Sequence, residues 1–439
     1  MASMEGQLSV LQKAEEVLRS GISLCDSCFG RLFGMRGYNL SNSERGRALK
    51  TVLMMQAFSY ASRKADLELL RLLAESGFRP AAEVATKLKV PFEPKACFIC
   101  EGLAERYEDI ARRIIEESAE YEFETFQIGV RLARAIISRE EQVWRMFGLS
   151  ESESLKNDIS REVGKLVERL SSKRYASEKP EMLIIINIPE AKLESISIEF
   201  HPSPVFLCGR YLKLVRGLPQ SPWPHPYERV LYPTSIEELI TAPLVEHFKA
   251  SGAKLHAAGR EDIDARTLGT GRPFVVELKR PKLRTLDLKR LEEVINERAQ
   301  GLIQVHSLRY CGREYIKKYK SLAELAKKSY VVRVEFDRVV SEEELAKLCE
   351  SLRNIVVDQR TPRRVLHRRP DRLRRKLVYK VEARKISERE VEFYIEAQGG
   401  FYVKEFIHGD EGRTRPSIAE LLGAKVMSIQ LDVVSVEEP

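Results

Sequence analysis

Seven cysteines occur in this chain of 439 residues, and four of them form two pairs spaced Cys-x-x-Cys, Cys25–Cys28 and Cys97–Cys100. Two intervening residues is the spacing at which both sulfurs of a pair reach one tetrahedral zinc ion at about 2.3 Å. Two such pairs complete a four-thiolate set with no open position for water, so the ion would staple the fold and take no part in catalysis. A single Cys-x-x-Cys can be a redox pair, but that chemistry needs a thioredoxin-like strand before it and a helix after it. Here the first pair runs into the turn-rich CysPheGlyArgLeuPheGly, and the second closely follows Pro94 and Lys95. The expectation is a structural zinc on Cys25, Cys28, Cys97 and Cys100. An odd total argues against a disulfide framework. Cys208, Cys311 and Cys349 are read as lone core residues or inert thiols.

The segment between the pairs is helical in pattern. Ser41 and Glu44 have capping-box spacing before a periodic stretch at 48–61, and a second stretch covers 66–73. After Cys100, the residues Leu103, Tyr107, Ile110, Ile114 and Ile115 recur at helical spacing. Beyond residue 120 the pattern alternates: strands at 123–130 and 182–188, a helix at 154–170. A stretch dense in charge and aromatics at 206–224 ends in prolines 219, 222 and 224, which sets a boundary near residue 235. Further strands are predicted at 274–278, 330–336, 377–384 and 391–397. At about 150 residues per domain, the length suggests about three. The chain therefore reads as α+β and multidomain: a helical zinc-binding part at 1–105, an α/β part at 106–235, and a further α/β part at 236–439.

No apolar run approaches the roughly 18 residues of a membrane helix, and Glu5, Glu15 and Glu16 interrupt any leader-like start. A cytoplasmic protein is expected. The 73 Lys and Arg exceed the 65 Asp and Glu, for a formal charge of +8, and placement matters more than the sum. From Arg360 to Lys376 there are nine basic residues and a single acid, Asp371. Lys279, Arg280, Lys282 and Arg284 form a second run. Either alone would suit a solvated face; together they favour a polyanion such as RNA.

The most informative stretch is Gly259-Arg260-Glu261-Asp262-Ile263-Asp264-Ala265-Arg266. The GlyThrGly at 269–271 lacks the Lys-Ser/Thr ending and following helix of a phosphate loop. The GlyArgXaaAsp element resembles the active-site motif of pseudouridine synthases, in which the Asp is the catalytic carboxylate. Two further elements follow in that superfamily's order. Lys328-Ser329-Tyr330 opens a strand whose residues Tyr330, Val332, Val334 and Phe336 share a face. GlyGlyPheTyrValLysGluPhe at 399–406 resembles an element whose basic residue pairs with the catalytic Asp, a position held here by Lys404. A lysine there keeps the charge and loses the bidentate fork of arginine.

Over nearly its whole length the chain resembles the archaeal-type Pus-ten tRNA pseudouridine synthase family. Besides the stretches above, the likeness rests on GlyArgTyrLeuLysLeuValArgGlyLeuProGlnSerProTrpPro (209–224), GlnArgThrProArgArgValLeuHisArgArg (359–369) and LysGluPheIleHisGlyAspGluGlyArgThrArgProSer (404–417). It implies an N-terminal zinc-containing part with a THUMP RNA-binding unit, joined to a pseudouridine synthase α/β fold with a mixed central sheet. It also implies a monomer, and as substrate the T-loop uridines at tRNA positions 54 and 55. Isomerisation of uridine changes neither redox balance nor composition, so no organic cofactor is expected. Asp262 would act at the ribose, as nucleophile or base. Tyr330 would stack on the uracil and Lys404 would hold Asp262. Arg260 would fill the space left by the flipped base. Arg360, Arg363, Arg364, Arg368 and Arg369 would grip the RNA backbone, with Lys279 and Arg280 as further contacts. Arg210, Lys213 and Arg216 would face the acceptor end. A binding or assembly factor with the same domains is the alternative, but it has no need of Asp262, Tyr330 and Lys404 together. A deaminase would need a His/Cys–Glu element before a Pro-Cys-x-x-Cys, and a methyltransferase or thiolase a glycine-rich nucleotide loop; none is found.

Overall fold

The computed structural model describes residues 9–34, 36–37, 39–59, 64–223, 232–367 and 369–437. They belong to two compact units, Met1–Ser203 and Pro204–Pro439. Arg368 and Pro224 lie outside the described residues, as does Ala61 at the end of the expected 48–61 stretch.

In the first unit, the short helix Asp26–Arg31 opens on Cys25, whose sulfur accepts the Cys28 backbone N–H. It crosses the helix Asn42–Ala57, which carries the expected Ser41–Glu44 capping box. The crossing is in backbone contact: a Cβ on Gly30 would meet the Asn42 carbonyl oxygen at 1.8 Å, and one on Gly46 the Asp26 oxygen at 1.9 Å. Glycine is needed at both positions because no side chain fits between the two backbones. After the helix Tyr107–Glu117 comes a sheet in the order Arg174–Tyr175, Thr125–Leu132, Met182–Ile188, Ser197–Pro202, parallel except for its last pair. Ser154 caps the helix Leu155–Leu170 over this sheet. One apolar core runs from Val17 and Leu24 through Cys28, Cys97 and Cys100 to Ile110, Ile184 and Ile186, so the cysteine-bearing segments and the sheet are packed together. Buried Asp158 reinforces this by accepting from Ser27, Asn42 and Tyr107 at 2.8–2.9 Å.

The second unit is built on a sheet of ten strands among the described residues. Its path is Ile303–Cys311, Val205–Lys213, Arg266–Lys279, Val426–Val436, Lys327–Phe336, Glu390–Gln398, Leu373–Lys385, Ile355–Arg360, Thr414–Arg415, with Gly252–Ala257 also paired to Arg266–Lys279. Only the join of Val426–Val436 to Arg266–Lys279 is parallel, so the sheet is mixed as expected. Val205–Lys213, assigned by sequence to the middle segment, is an inner strand of this sheet. Along Arg266–Lys279, Phe274, Val276 and Leu278 pack with Ile240, Leu244 and Ile295 of two helices, while Val275 packs with Tyr319 on the other face. A strand covered on both faces reads as a near-continuous apolar run, as 274–278 does apart from Glu277.

One cysteine expectation is overturned. Cys208 and Cys311, separated by 103 residues, are joined in a disulfide with Cα atoms 5.8 Å apart. Pairing of Val205–Lys213 with Ile303–Cys311 sets them on adjacent strands, a proximity that sequence spacing does not reveal. Among the described residues no helix is long and apolar enough to cross a membrane.

Candidate active site

The loop 258–265 connects Gly252–Ala257 to Arg266–Lys279 and carries Asp262 into a cleft of about 900 Å³ in the second unit. Two cations, Lys213 and Arg216, brace its backbone, and a third, Arg210, ties together the neighbouring strands. The Lys213 ammonium, fully buried, donates to the carbonyls of Asp262 (3.2 Å) and Ile263 (2.7 Å). Arg216 donates to the Asp264 carbonyl at 2.8 Å and pairs with Asp432 at 2.6 Å. Arg210 donates to the carbonyls of Thr270, Gly271 and Val436. These three were expected to face RNA; each binds backbone carbonyls of the second unit, Lys213 fully buried and Arg210 and Arg216 partly exposed. Sequence displays a charge but not the carbonyls that tertiary contacts supply to it. Burial pushes the Lys213 ammonium down to about 8, against the pull of Glu261, Asp264 and Asp262.

Glu261 turns inward beside Asp262. Its carboxylate pairs with Arg272 at 2.7 Å, both side chains almost fully buried, and accepts from the Tyr211 hydroxyl at 3.0 Å. Arg272 also donates to the Ala258 carbonyl at 2.8 Å, closing the base of the loop. Removing one member of such a buried pair costs about 3–5 kcal/mol, because the other is left uncompensated.

Asp262 faces outward into the cleft and is partly exposed. Its Oδ1 accepts from Arg364 at 2.8 Å, and its Oδ2 lies 3.6 Å from the Lys404 ammonium. Lys404 binds Asp264 more closely, at 2.7 and 2.6 Å to its two oxygens. Burial works against ionisation of Asp264, but the Lys404 hydrogen bond and charge hold its carboxyl below the usual range. Arg364 is held in turn by the buried Glu405 carboxylate at 2.7 Å. The nearer cation on Asp262 is thus Arg364, which sequence reading had placed with the backbone-gripping residues. Asp264, Glu405, Glu261 and Arg272 were not singled out; the signal available was a second acid two residues from Asp262 and an acid beside Lys404.

Tyr330 forms part of the cleft wall and is 6% exposed. Burial pushes its phenol up to about 12, with the Arg272 guanidinium acting in the opposite direction. Arg260 and Arg369 also line the cleft, Arg369 donating to the Tyr402 hydroxyl at 3.2 Å. Arg360 and Arg363 are exposed and make surface pairs with Asp371 and Glu411. Lys279 and Arg280 are exposed at the end of their strand and do not line this cleft.

In the first unit, one sulfur from each of Cys25, Cys28, Cys97 and Cys100 lies within 4.8 Å of every other, with Cys25 and Cys100 at 3.6 Å. Four sulfurs at about 2.3 Å from one tetrahedral ion are about 3.8 Å apart, so a set this closely gathered could hold a metal ion. Buried Arg31 lies one helical turn after Cys28 and pairs with Glu140; burial opposes its charge, and Cys28 and Glu140 more than offset that.

Comparison with known proteins gives these arrangements a context. Residues 206–437 match the family model described as Pus10, C-terminal, and residues 110–187 match the archaeal Pus10 THUMP domain. The tRNA pseudouridine synthase Pus10 of Thermofilum pendens is 59% identical over 429 residues, covering 98% of this chain and 96% of its own length. That of Methanopyrus kandleri is 41% identical, covering 93% and 94%. The chain belongs to the Pus10 family of tRNA pseudouridine synthases. Its THUMP match covers three of the four strands of the first unit's sheet, all but Ser197–Pro202, and its Pus10 C-terminal match spans the ten-stranded sheet. The enzyme is an isomerase of this family, and the cleft with Asp262 lies within the matched C-terminal region.

Proposed function

We propose that this Pus10-family enzyme converts uridine to pseudouridine in the tRNA T loop, at tRNA positions 54 and 55, with Asp262 as the catalytic carboxylate. One observation carries the reading: Asp262, held by Arg364 and flanked by Lys404, shares with Tyr330 a single cleft lined by further basic residues.

The reaction breaks the N1–C1′ bond, turns the uracil and forms a C5–C1′ bond. Asp262 acts at the ribose, by attack on C1′ or by taking the 2′ proton, and both routes need a carboxylate whose orientation is fixed. Arg364 and Glu405 supply that orientation through a chain of charge-assisted hydrogen bonds. Tyr330 offers a ring against which an extruded base packs. With its hydroxyl pushed up to about 12, it stays protonated at neutral pH and serves first as a wall and hydrogen-bond donor. Arg260, exposed at the loop, is placed to fill the gap left in the stack. The four-cysteine cluster we assign to zinc held by Cys25, Cys28, Cys97 and Cys100, an ion whose role is to cross-link the start of the helix Asp26–Arg31 to the turn at 97–100.

The test is site mapping of pseudouridine on defined, unmodified tRNA transcripts. Product at the two T-loop uridines is expected; isomerisation confined to other positions would overturn the substrate assignment. A reading as a non-catalytic tRNA binder leaves the Asp262 constellation without a use.

Two smaller effects follow from the geometry. Arg364→Ala should lower the single-turnover rate by about tenfold to a hundredfold, more than Lys404→Ala, because it removes the shorter charge-assisted bond to Asp262. The reverse order of rates would return the main orienting role to Lys404. Neutralising Arg360, Arg363 and Arg369 together should flatten the log affinity against log salt slope for tRNA by about two. An unaltered slope would show this face to be merely solvated.

A further inference from the structure

Cleavage of the N1–C1′ bond leaves its electron pair on the uracil, so negative charge develops on the base oxygens before C5 attacks C1′. Asp262, Arg364 and Lys404 serve the ribose side and none of them is tied to that charge. Lys328 stands two residues before Tyr330 on the strand Lys327–Phe336, and alternate residues of a strand project to the same face. Both side chains line the Asp262 cleft, and Lys328 is only 6% exposed. A uracil resting on the Tyr330 ring would therefore lie within the field of a cation that water scarcely screens.

We propose that Lys328 is a further catalytic residue, its ammonium holding the uracil anion formed when the glycosidic bond breaks. The pair leaves C1′ for N1 and is spread over the two carbonyl oxygens of the uracil. It then returns through C5 as the C5–C1′ bond forms, C5 loses its proton and N1 gains one, so the base is isomerised with no added reactant. The surroundings suit this role. Arg272 from Arg266–Lys279 and Lys376 from Leu373–Lys385 add positive charge near Lys328, and Glu261 from the Asp262 loop is the acid that opposes them. The paired strands set Ala397 and Val436 opposite Lys328, neither of them charged. A site with more positive than negative charge at its floor favours an arriving anion, which is electrostatic stabilisation built before the reaction begins. Burial, then Arg272 and Lys376, push the Lys328 ammonium down to about 7, so in the free enzyme it is charged below that pH and neutral above it.

The proposal rests on the isomerase reading, and the experiment separates the two. Wild type, Lys328→Met and Lys328→Arg are compared on one tRNA transcript for kcat, KM, tRNA affinity and the pH dependence of kcat/KM. For wild type, kcat/KM should fall as pH rises through about 7 to 8, where the free-enzyme ammonium is lost. Lys328→Met should lose about 100-fold in kcat with tRNA affinity unchanged, the effect of deleting one preorganised donor. Lys328→Arg should recover most of the rate and lose the alkaline fall, since a guanidinium stays charged. A Lys328→Met rate equal to wild type, a loss confined to tRNA affinity, or an Arg variant that keeps the alkaline fall would each overturn the role of Lys328. A wild type without isomerase activity would overturn the function reading itself.

Discussion

Asp262→Asn is expected to leave tRNA affinity intact and to lower turnover by about 10⁴-fold or more. The amide keeps the shape of the side chain, and its oxygen can still accept from Arg364, so the loop braced by Lys213 and Arg216 should hold its course. What it lacks is a charge and a basic oxygen, without which neither route at the ribose is open. Single-turnover assays on a tRNA transcript, paired with filter binding, measure both quantities. The companion variant Asp264→Asn matters because Asp264, not Asp262, makes the closer contact to Lys404. It should retain most of the rate; a loss confined to Asp264→Asn would move the catalytic role by two residues.

Cys97→Ser is expected to release the metal and unfold the helices around it. Apparent binding free energies of structural zinc sites run to about 10–16 kcal/mol, comparable with or larger than the net stability of a typical domain, about 5–15 kcal/mol. The effect should spread beyond the cluster, since Cys28, Cys97 and Cys100 belong to the same apolar core as Ile184 and Ile186 of the sheet. Metal analysis should give about one zinc per chain for wild type and none for the variant. Circular dichroism should show the helical loss, and a strong chelator acting on wild type should reproduce it. A variant that keeps both metal and helicity would mean that other ligands hold the ion.

Much of the local structure could be read directly from residue order. The capping box at Ser41, the helix expected at 154–170 and the buried strand Met182–Ile188 all depend on interactions within a few residues of one another. The two Cys-x-x-Cys pairs were legible for the same reason, since the spacing itself puts two sulfurs within reach of one ion. The motif around Asp262 pointed to the chemistry, and the cleft places that residue with Tyr330 and Lys404.

Partner choice was a different matter. Arg210, Lys213, Arg216 and Arg364 look alike as basic residues in a list, yet three turn inward to bind carbonyls while the fourth grips Asp262. Cys208 and Cys311 looked solitary until two strands came together, and Glu261 looked like one more acid until Arg272 was folded against it. Spacing and propensity act over one or two helical turns or a strand's alternation. The carboxylate, carbonyl or thiol that meets a given side chain arrives from up to hundreds of residues away, so it is set by sheet pairing and by the cost of leaving a buried charge or polar group unmatched.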